Sequence, residues 1–431
     1  MTTQFLVGAA NSGAGKTTIT IGLLRAFKDM GMRVQSFKCG PDYIDTKYHA
    51  AATKTEPVNL DTWMASAKHV RDLYYRYASE SNCCITEGVM GLFDGYKKMC
   101  GSSAEIAGLL KIPVVLVVNA VSTAYSVAPV IYGFMHFHPE VRIAGVIFNK
   151  VSSASHFSFL KEACNDINVE CFGYMPMDKD ISIPSRHLGL STSEDIETEC
   201  YIRRIAELVK ENIDLDKMIR CLSAEIDVDI ENNSLSENEK HITIAVARDE
   251  AFNFTYRENI DRLALLANVV FFSPLHDHHL PKADILYIPG GYPELYAEGL
   301  EKAEMMRHEI RIFADNGGKI FAECGGLMYM CGHLENNGKK YEMTGIMPFD
   351  CSMTGARLTL GYRYMTYKGK TYRGHEFHYS HISDADALPS MADLYNARDM
   401  KVPVRIYRKG NVIAGYTHWY WGENDFMDFW K

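Results

Sequence analysis

The stretch "KIFAECGGLMYM", residues 319–330, sets one cysteine between two short apolar runs with two glycines directly after it. A nucleophilic cysteine needs a lowered pKa, an exposed sulfur and donors for a developing oxyanion, and a sharp strand-to-helix elbow supplies all three. Cys324 stands at such an elbow, and Gly325 and Gly326 permit close approach, although Ala322 occupies the place where the nucleophile-elbow pattern has glycine. Taken alone, Cys324 reads equally well as a small buried hydrophobe. Two further segments favour catalysis. In "YIPGGYPELYAEGL" the N–H of Gly291 can complete an oxyanion hole with that of Gly325, and in "AGYTHWYW" His418 is a candidate base. Distance along the chain is no objection, because Cys and His partners meet only in the fold.

A second constellation lies at the other end. "GAANSGAGKTT", residues 8–18, follows an apolar strand and opens a helix. Backbone N–H groups of Gly13, Ala14 and Gly15 would cradle phosphates, Lys16 would reach the terminal phosphates, Thr17 would hold Mg²⁺, and Thr18 completes the motif. The loop is a variant, with Ala10 where the usual spacing puts glycine. "KCGPDYID" adds Lys38, Asp42 and Asp45, and "CCITEGVMGLFDG" adds Glu87 and Asp94. Mg²⁺ prefers oxygen ligands and keeps several waters, so Thr17 with Asp45 or Glu87 suffices. Each of these acids could instead cap a helix or turn.

The elements that must position these residues are legible as alternating buried runs and helical patterns. "FLVGAA", "RVQSFK", "IPVVLVVNA" and "IAGVIFNKV" are apolar on both faces, which predicts a parallel sheet covered on both sides. In the first helix Ile19, Leu23, Phe27 and Met30 predict one buried stripe, with Gly31 as the stop. "EIDVDIENNSLSENEKH" loses that periodicity and predicts a linker. Beyond it "ITIAVARD", "VVFFSP", "DILYIPGG" and "KIFAE" restart the pattern. The expected architecture is α/β with two parallel-sheet domains, 1–224 and 241–431, joined by residues 225–240. Ligands of such sheets sit beyond the carboxyl ends of the strands, so both acidic segments should face the phosphate loop.

Composition narrows the function. With 431 residues, 47% hydrophobic and 23% charged, the chain is globular and too long for one ordinary core. A formal net charge of −9 argues against a general nucleic-acid binder. Eleven irregularly spaced cysteines without a leader or a long apolar run predict reduced thiols in the cytoplasm and no membrane span.

"GGYPE", "ECGGLMY" and the terminal Tyr-x-His resemble the class I glutamine amidotransferase domain, in the branch fused to a dethiobiotin-synthetase-like ATP domain. Together with "KCGPDYID", "EGVMGLFDG", "LGYR" and "GHEFHYS", they resemble the cobyrinate a,c-diamide synthase family over nearly the whole chain. The resemblance implies ATP, Mg²⁺ and glutamine, and twofold amidation of the a and c acetates of a cobalt corrinoid in cobalamin biosynthesis. It makes Cys324 the nucleophile that frees ammonia from glutamine and His418 its base. Tyr420 stands where the wider class has glutamate, so a Cys–His dyad is expected, with Glu323 or another acid left to orient His418. Lys16, Lys38 and Mg²⁺ would neutralise charge while ATP phosphorylates the substrate carboxylate, Asp94 would stabilise the ammonium or the acyl transfer, and Asn149 resembles an adenine-reading asparagine. Ammonia would need a covered route to the second reaction.

Other stretches carry weaker expectations. Arg186 or His187 in "SIPSRHLGL" could meet substrate carboxylates, Asp42 is a weaker candidate on the substrate side of the phosphate cleft, and His375, Glu376 and His378 in the strand-like "GHEFHYS" belong to the corrinoid end or the domain interface, or are plain sheet residues. "HDHH", residues 276–279, reads as a solvated loop rather than a zinc site, and the aromatic tail "HWYWGENDFMDFW" as core. Rival functions are the same chemistry on nickel sirohydrochlorin or hydrogenobyrinate, and a nucleotide-switched binding protein with an inert amidotransferase half. A homodimer is compatible with the sequence and not specified by it.

Overall fold

The computed structural model describes residues 1–178, 192–226 and 241–431. The chain divides into two compact units, Met1–Asn232 and Asn233–Lys431. Arg186, His187 and most of the expected linker, residues 227–240, lie outside the described residues.

In the first unit the elements run β1 (Thr2–Ala9), α1 (Lys16–Asp29), β2 (Val34–Cys39), α2 (Asp45–Thr53), β3 (Val58–Leu60), α3 (Ala67–Ala78), β4 (Cys83–Glu87), α4 (Ser103–Leu110), β5 (Val114–Asn119), α5 (Val127–His136), β6 (Ile143–Val151), α6 (Ala154–Asp166), β7 (Cys171–Pro176), α7 (Thr192–Asn212), α8 (Leu215–Leu222) and the short β8 (Ser223–Ala224). The sheet order is β3-β2-β4-β1-β5-β6-β7, with all of these pairs parallel and β8 antiparallel against the start of β1. β2 and β4 are buried along their whole length, as runs apolar on both faces require. Ile19, Leu23 and Phe27 pack into the core on one stripe of α1. Met30 departs from the expected stripe: it is the residue that caps the helix and is 45% exposed, because Gly31, at φ +83°, turns the chain away there.

The second unit begins with β9 (Thr243–Ala247), α9 (Arg257–Leu266), β10 (Asn268–Phe272), β11 (Ile285–Ile288), α10 (Ala297–Lys302), α11 (Glu304–Asp315), β12 (Lys319–Glu323) and α12 (Gly325–Met330). Strands β10-β9-β11-β12 pair in parallel, Val412–Gly415 joins parallel to β12, and Ile406–Lys409 closes the edge antiparallel. Two smaller sheets accompany it. One of them pairs Thr359–Tyr367, Lys370–His378 and His418–Trp419 antiparallel. Among the described residues no helix is long and apolar enough to cross a membrane.

Candidate active sites in the two units

The phosphate loop connects β1 to α1. Gly15 immediately precedes Lys16 at φ +98°, a conformation that side chains rarely adopt, and a Cβ there would lie 1.9 Å from Asn149 Nδ2. Glycine is therefore required on both counts. Asn149, at the end of β6, donates from Nδ2 to the Ala14 carbonyl at 2.8 Å and accepts at Oδ1 from the Lys150 N–H, so it ties the loop to the sheet. The loop opens on a cleft of about 540 Å³ whose lining includes Gly13, Lys16, Thr17, Thr18, Asp45 and Glu87.

Charge inside the cleft is paired closely. Lys38, 2% exposed, sets its ammonium 2.6 Å from Asp45 Oδ2 and 3.0 Å from Glu87 Oε1. The Thr17 hydroxyl lies 2.6 Å from Glu87 Oε1 and 3.2 Å from Asp45 Oδ2. Burial opposes every charge here, yet Glu87, Asp45 and Asp42 hold Lys38 above the ordinary lysine range, and Lys38 with His49 holds Glu87 below the ordinary carboxylate range. Asp45 is pushed up, first by burial and then by the Glu87 carboxylate. Lys16 is lowered, mainly by burial, and donates to the Met90 carbonyl at 2.5 Å. A hydroxyl and two carboxylates converging on one point are hard oxygen donors, which fits Mg²⁺ in company with phosphate oxygens and water. Among the described residues no cluster of three or more His, Cys, Asp or Glu side chains could hold a metal without such help.

In the second unit Cys324 is an elbow in fact. Its backbone sits at φ +49°, ψ −103°, between β12 and α12, a strained conformation for a residue with a side chain and of order 1–3 kcal/mol in cost. The Cys324 N–H donates to Gly415 O at 2.8 Å, which anchors the elbow to the neighbouring strand. A Cβ on Gly325 would fall 3.0 Å from the Gly291 nitrogen, so these two backbones are in close contact. A Cβ on Gly290 would lie 2.1 Å from His418 Cε1, so the imidazole rests directly on that glycine. The Cys324 sulfur, on a residue 4% exposed, contacts Phe377 O at 3.7 Å.

The expectation of a lowered thiol pKa is not met. Burial first, then the Glu294 and Glu376 carboxylates, hold Cys324 well above the usual thiol range, against a smaller pull from the Gly325 N–H. His418 is held well below the ordinary histidine range by burial and by His375 and His378. Both groups are therefore neutral near pH 7, and ionisation of the thiol awaits transfer of its proton. Alkylation of Cys324 by iodoacetamide without glutamine should be slow at pH 7 and still be rising beyond pH 9. Peptide mass spectrometry against pH measures this, and a plateau below pH 8 would contradict it.

Residues 5–190 match the family described as the CobQ/CobB/MinD/ParA nucleotide binding domain, and residues 243–426 the CobB/CobQ-like glutamine amidotransferase domain. The relative named cobyrinate a,c-diamide synthase from Listeria innocua is 38% identical, covering 98% of this chain and 97% of its own. Proteins of the same name from Caldanaerobacter subterraneus and Picrophilus torridus are 41% and 38% identical, covering 96% and 98% of this chain and 94% and 96% of their own. The chain belongs to the cobyrinate a,c-diamide synthase family. It thus carries in one polypeptide the two halves of an amidating ligase, a nucleotide-binding domain and a glutamine amidotransferase domain.

Within this member of the cobyrinate a,c-diamide synthase family the remaining candidates fall in varied places. Asp42 accepts at Oδ1 from the Ile44 and Asp45 N–H groups, the turn-capping alternative, while also lining the cleft. Asp94 is exposed and accepts from the Gly91 N–H at 3.1 Å. Ala14 is 2% exposed. His375, 5% exposed, pairs in register with His418, with ring centroids 6.3 Å apart. Glu323 accepts from the N–H of Trp419, the peptide after His418, at 3.1 Å and from the Tyr287 hydroxyl at 2.8 Å, and burial pushes its pKa up to about 8. His276 and His279 are exposed and bonded to Glu250 and Glu309, as a solvated loop requires. Trp419, Trp421, Phe426 and Phe429 are core.

Sequence reasoning missed His49 and Arg363, each a partner of a buried carboxylate. His49 is wholly buried, with Nε2 2.6 Å from Glu87 Oε2, and nothing in its spacing on α2 signals that contact. Arg363 donates from Nε to buried Glu376 at 2.5 Å, and His378 bonds the other Glu376 oxygen at 2.8 Å while its ring stacks 3.6 Å from that of Tyr416. Glu376, His378 and Tyr416, with Arg357 and Arg405, line a second cleft of about 380 Å³. The contact between the Cys324 sulfur and Phe377 O places the strand bearing Glu376 and His378 against the elbow. Glu376 and His378 were legible in "GHEFHYS", since alternate residues of a strand share a face.

Proposed function

We propose that this protein amidates the a and c acetate side chains of cobyrinate, using ATP and glutamine. Similarity to cobyrinate a,c-diamide synthases over 98% of the chain is the observation that carries this reading. The paired constellations, a phosphate cleft in one unit and a Cys–His elbow in the other, support it.

Glutamine enters beside the elbow. Cys324 passes its proton to His418 and attacks the glutamine side-chain carbonyl carbon, forming a C–S bond. Gly291 and Gly325 stabilise the oxyanion through their N–H groups. His418 returns the proton to the departing nitrogen, ammonia leaves, and water hydrolyses the thioester to glutamate. In the phosphate cleft Lys16 exchanges the Met90 carbonyl for phosphate oxygens, with Gly13, Gly15, Thr17 and Thr18 around them. Thr17 with Asp45 or Glu87 would hold Mg²⁺, which when bound neutralises phosphate charge. A substrate carboxylate oxygen takes the γ-phosphoryl group, releasing ADP. Ammonia then attacks the acyl carbon, phosphate departs, and the nitrogen loses its extra proton to give a primary amide. Catalysis on this side is positioning and charge neutralisation, since carboxylate and phosphate repel.

Incubating cobyrinate with the protein, ATP, Mg²⁺ and glutamine should give two successive acid-to-amide mass changes by mass spectrometry. No mass change with cobyrinate, together with turnover of nickel sirohydrochlorin or hydrogenobyrinate, would reassign the substrate.

A further inference from the structure

The loop that follows β4 has two edges. Val89 and Met90 line the phosphate cleft, the Met90 carbonyl receives Lys16, and Met90 is 46% exposed. Three residues on, Phe93 leaves the cleft and packs against α5, with its ring 5.5 Å from Phe134 and 4.7 Å from Phe137. The sequence of that helix, "VAPVIYGFMH", turns apolar side chains outward. Val130, Phe134 and Phe137 follow at intervals of four and three, so they share one face, and Val130 and Phe137 are 47% and 66% exposed. Contiguous apolar surface left open to water marks a binding surface. Lys97 and Lys98, four and five residues beyond Phe93 on the same loop, are exposed and add positive charge to it.

We propose that Met90, Phe93, Val130, Phe134 and Phe137 form a shelf for the flat apolar face of a macrocyclic substrate, with Lys97 and Lys98 meeting peripheral carboxylates that are not being activated. This rests on the amidation of a tetrapyrrole proposed above. The chemistry dictates the occupant. The walls near the phosphates are charged, with Lys16, Lys38, Asp45 and Glu87, and offer a macrocycle little to bury against. One of its acetates must nevertheless reach the γ-phosphate. A shelf joined to the cleft by the loop that carries both Met90 and Phe93 lets the ring system stay outside while a single side chain enters. A polyanionic ring with apolar faces matches an apolar floor rimmed by lysines.

The test is titration of the whole protein with cobyrinic acid, in the presence of Mg²⁺ and a non-hydrolysable ATP analogue, followed by corrinoid absorption. Phe137→Ser should raise the Kd about tenfold or more, and the double charge reversal Lys97→Glu, Lys98→Glu by a similar factor. Nucleotide binding, read as a thermal shift, and glutamine hydrolysis should stay within about twofold of wild type; because Phe137 is exposed, Phe137→Ser tests the shelf without disturbing the core. Wild type that binds cobyrinic acid while Phe137→Ser binds it equally well overturns the shelf and leaves the proposed function standing. Wild type that binds no corrinoid overturns the proposed function, and the shelf with it. If Phe137→Ser converts a dimer to monomers without changing corrinoid affinity, the face belongs to a second copy of the chain and the shelf is refuted.

Discussion

Cys324→Ala should lose glutamine-dependent amidation by about 10⁴-fold or more, some 5 kcal/mol of transition-state stabilisation, while amidation from concentrated ammonium persists near the wild-type rate. The reasoning is that the thiol forms and breaks the only covalent bond between protein and glutamine, so no neighbouring group replaces it. Alanine removes a sulfur that contacts Phe377 O and leaves the elbow's backbone bond to Gly415 in place, so the phosphate cleft in the other unit should fold normally. Steady-state rates with each nitrogen source decide the matter. Loss of both activities in a folded variant would mean that the two constellations are not separate sites.

The mirror experiment is Lys16→Met. It should lower amidation from either nitrogen source by about 10³-fold, close to 4 kcal/mol, because the ammonium is a preorganised charge aimed at the phosphates. Glutamine hydrolysis should survive. Methionine keeps the apolar stem, and Lys16 makes its polar contact with a loop carbonyl rather than with a buried acid, so little stability is at stake. Lys38 would be a poor substitute target. It neutralises Asp45 and Glu87 inside the protein, and its removal would leave buried carboxylates uncompensated, mixing a folding defect with a catalytic one. Retained amidation in Lys16→Met with either nitrogen source would remove Lys16 from the phosphate site.

Much of the scaffold was legible because buried parallel strands are written as continuous apolar runs. "FLVGAA", "RVQSFK" and "KIFAE" each fall in a strand of the structure. The strand character of "GHEFHYS" was legible, but its antiparallel pairing with Thr359–Tyr367 and with His418–Trp419 was not, since these strands are short or half-exposed and mix polar with apolar residues. Gly15 and the elbow could be located because tight backbone conformations demand particular residues. His49 and Arg363 could not, because a buried partner for a carboxylate leaves no periodic trace.

Residue type and local order by themselves determined which chemistry the chain can attempt: a thiol after a strand, a glycine-rich turn before a helix, and acids at strand ends. Only tertiary structure decided the state of those groups. Burial raises the Cys324 thiol and lowers the His418 imidazole, Lys38 keeps Glu87 ionised, and Glu323 braces the Trp419 peptide. The physical reason is that covalent sequence specifies donors and acceptors, whereas their charge depends on the water removed and the partners brought close by segments distant in the sequence.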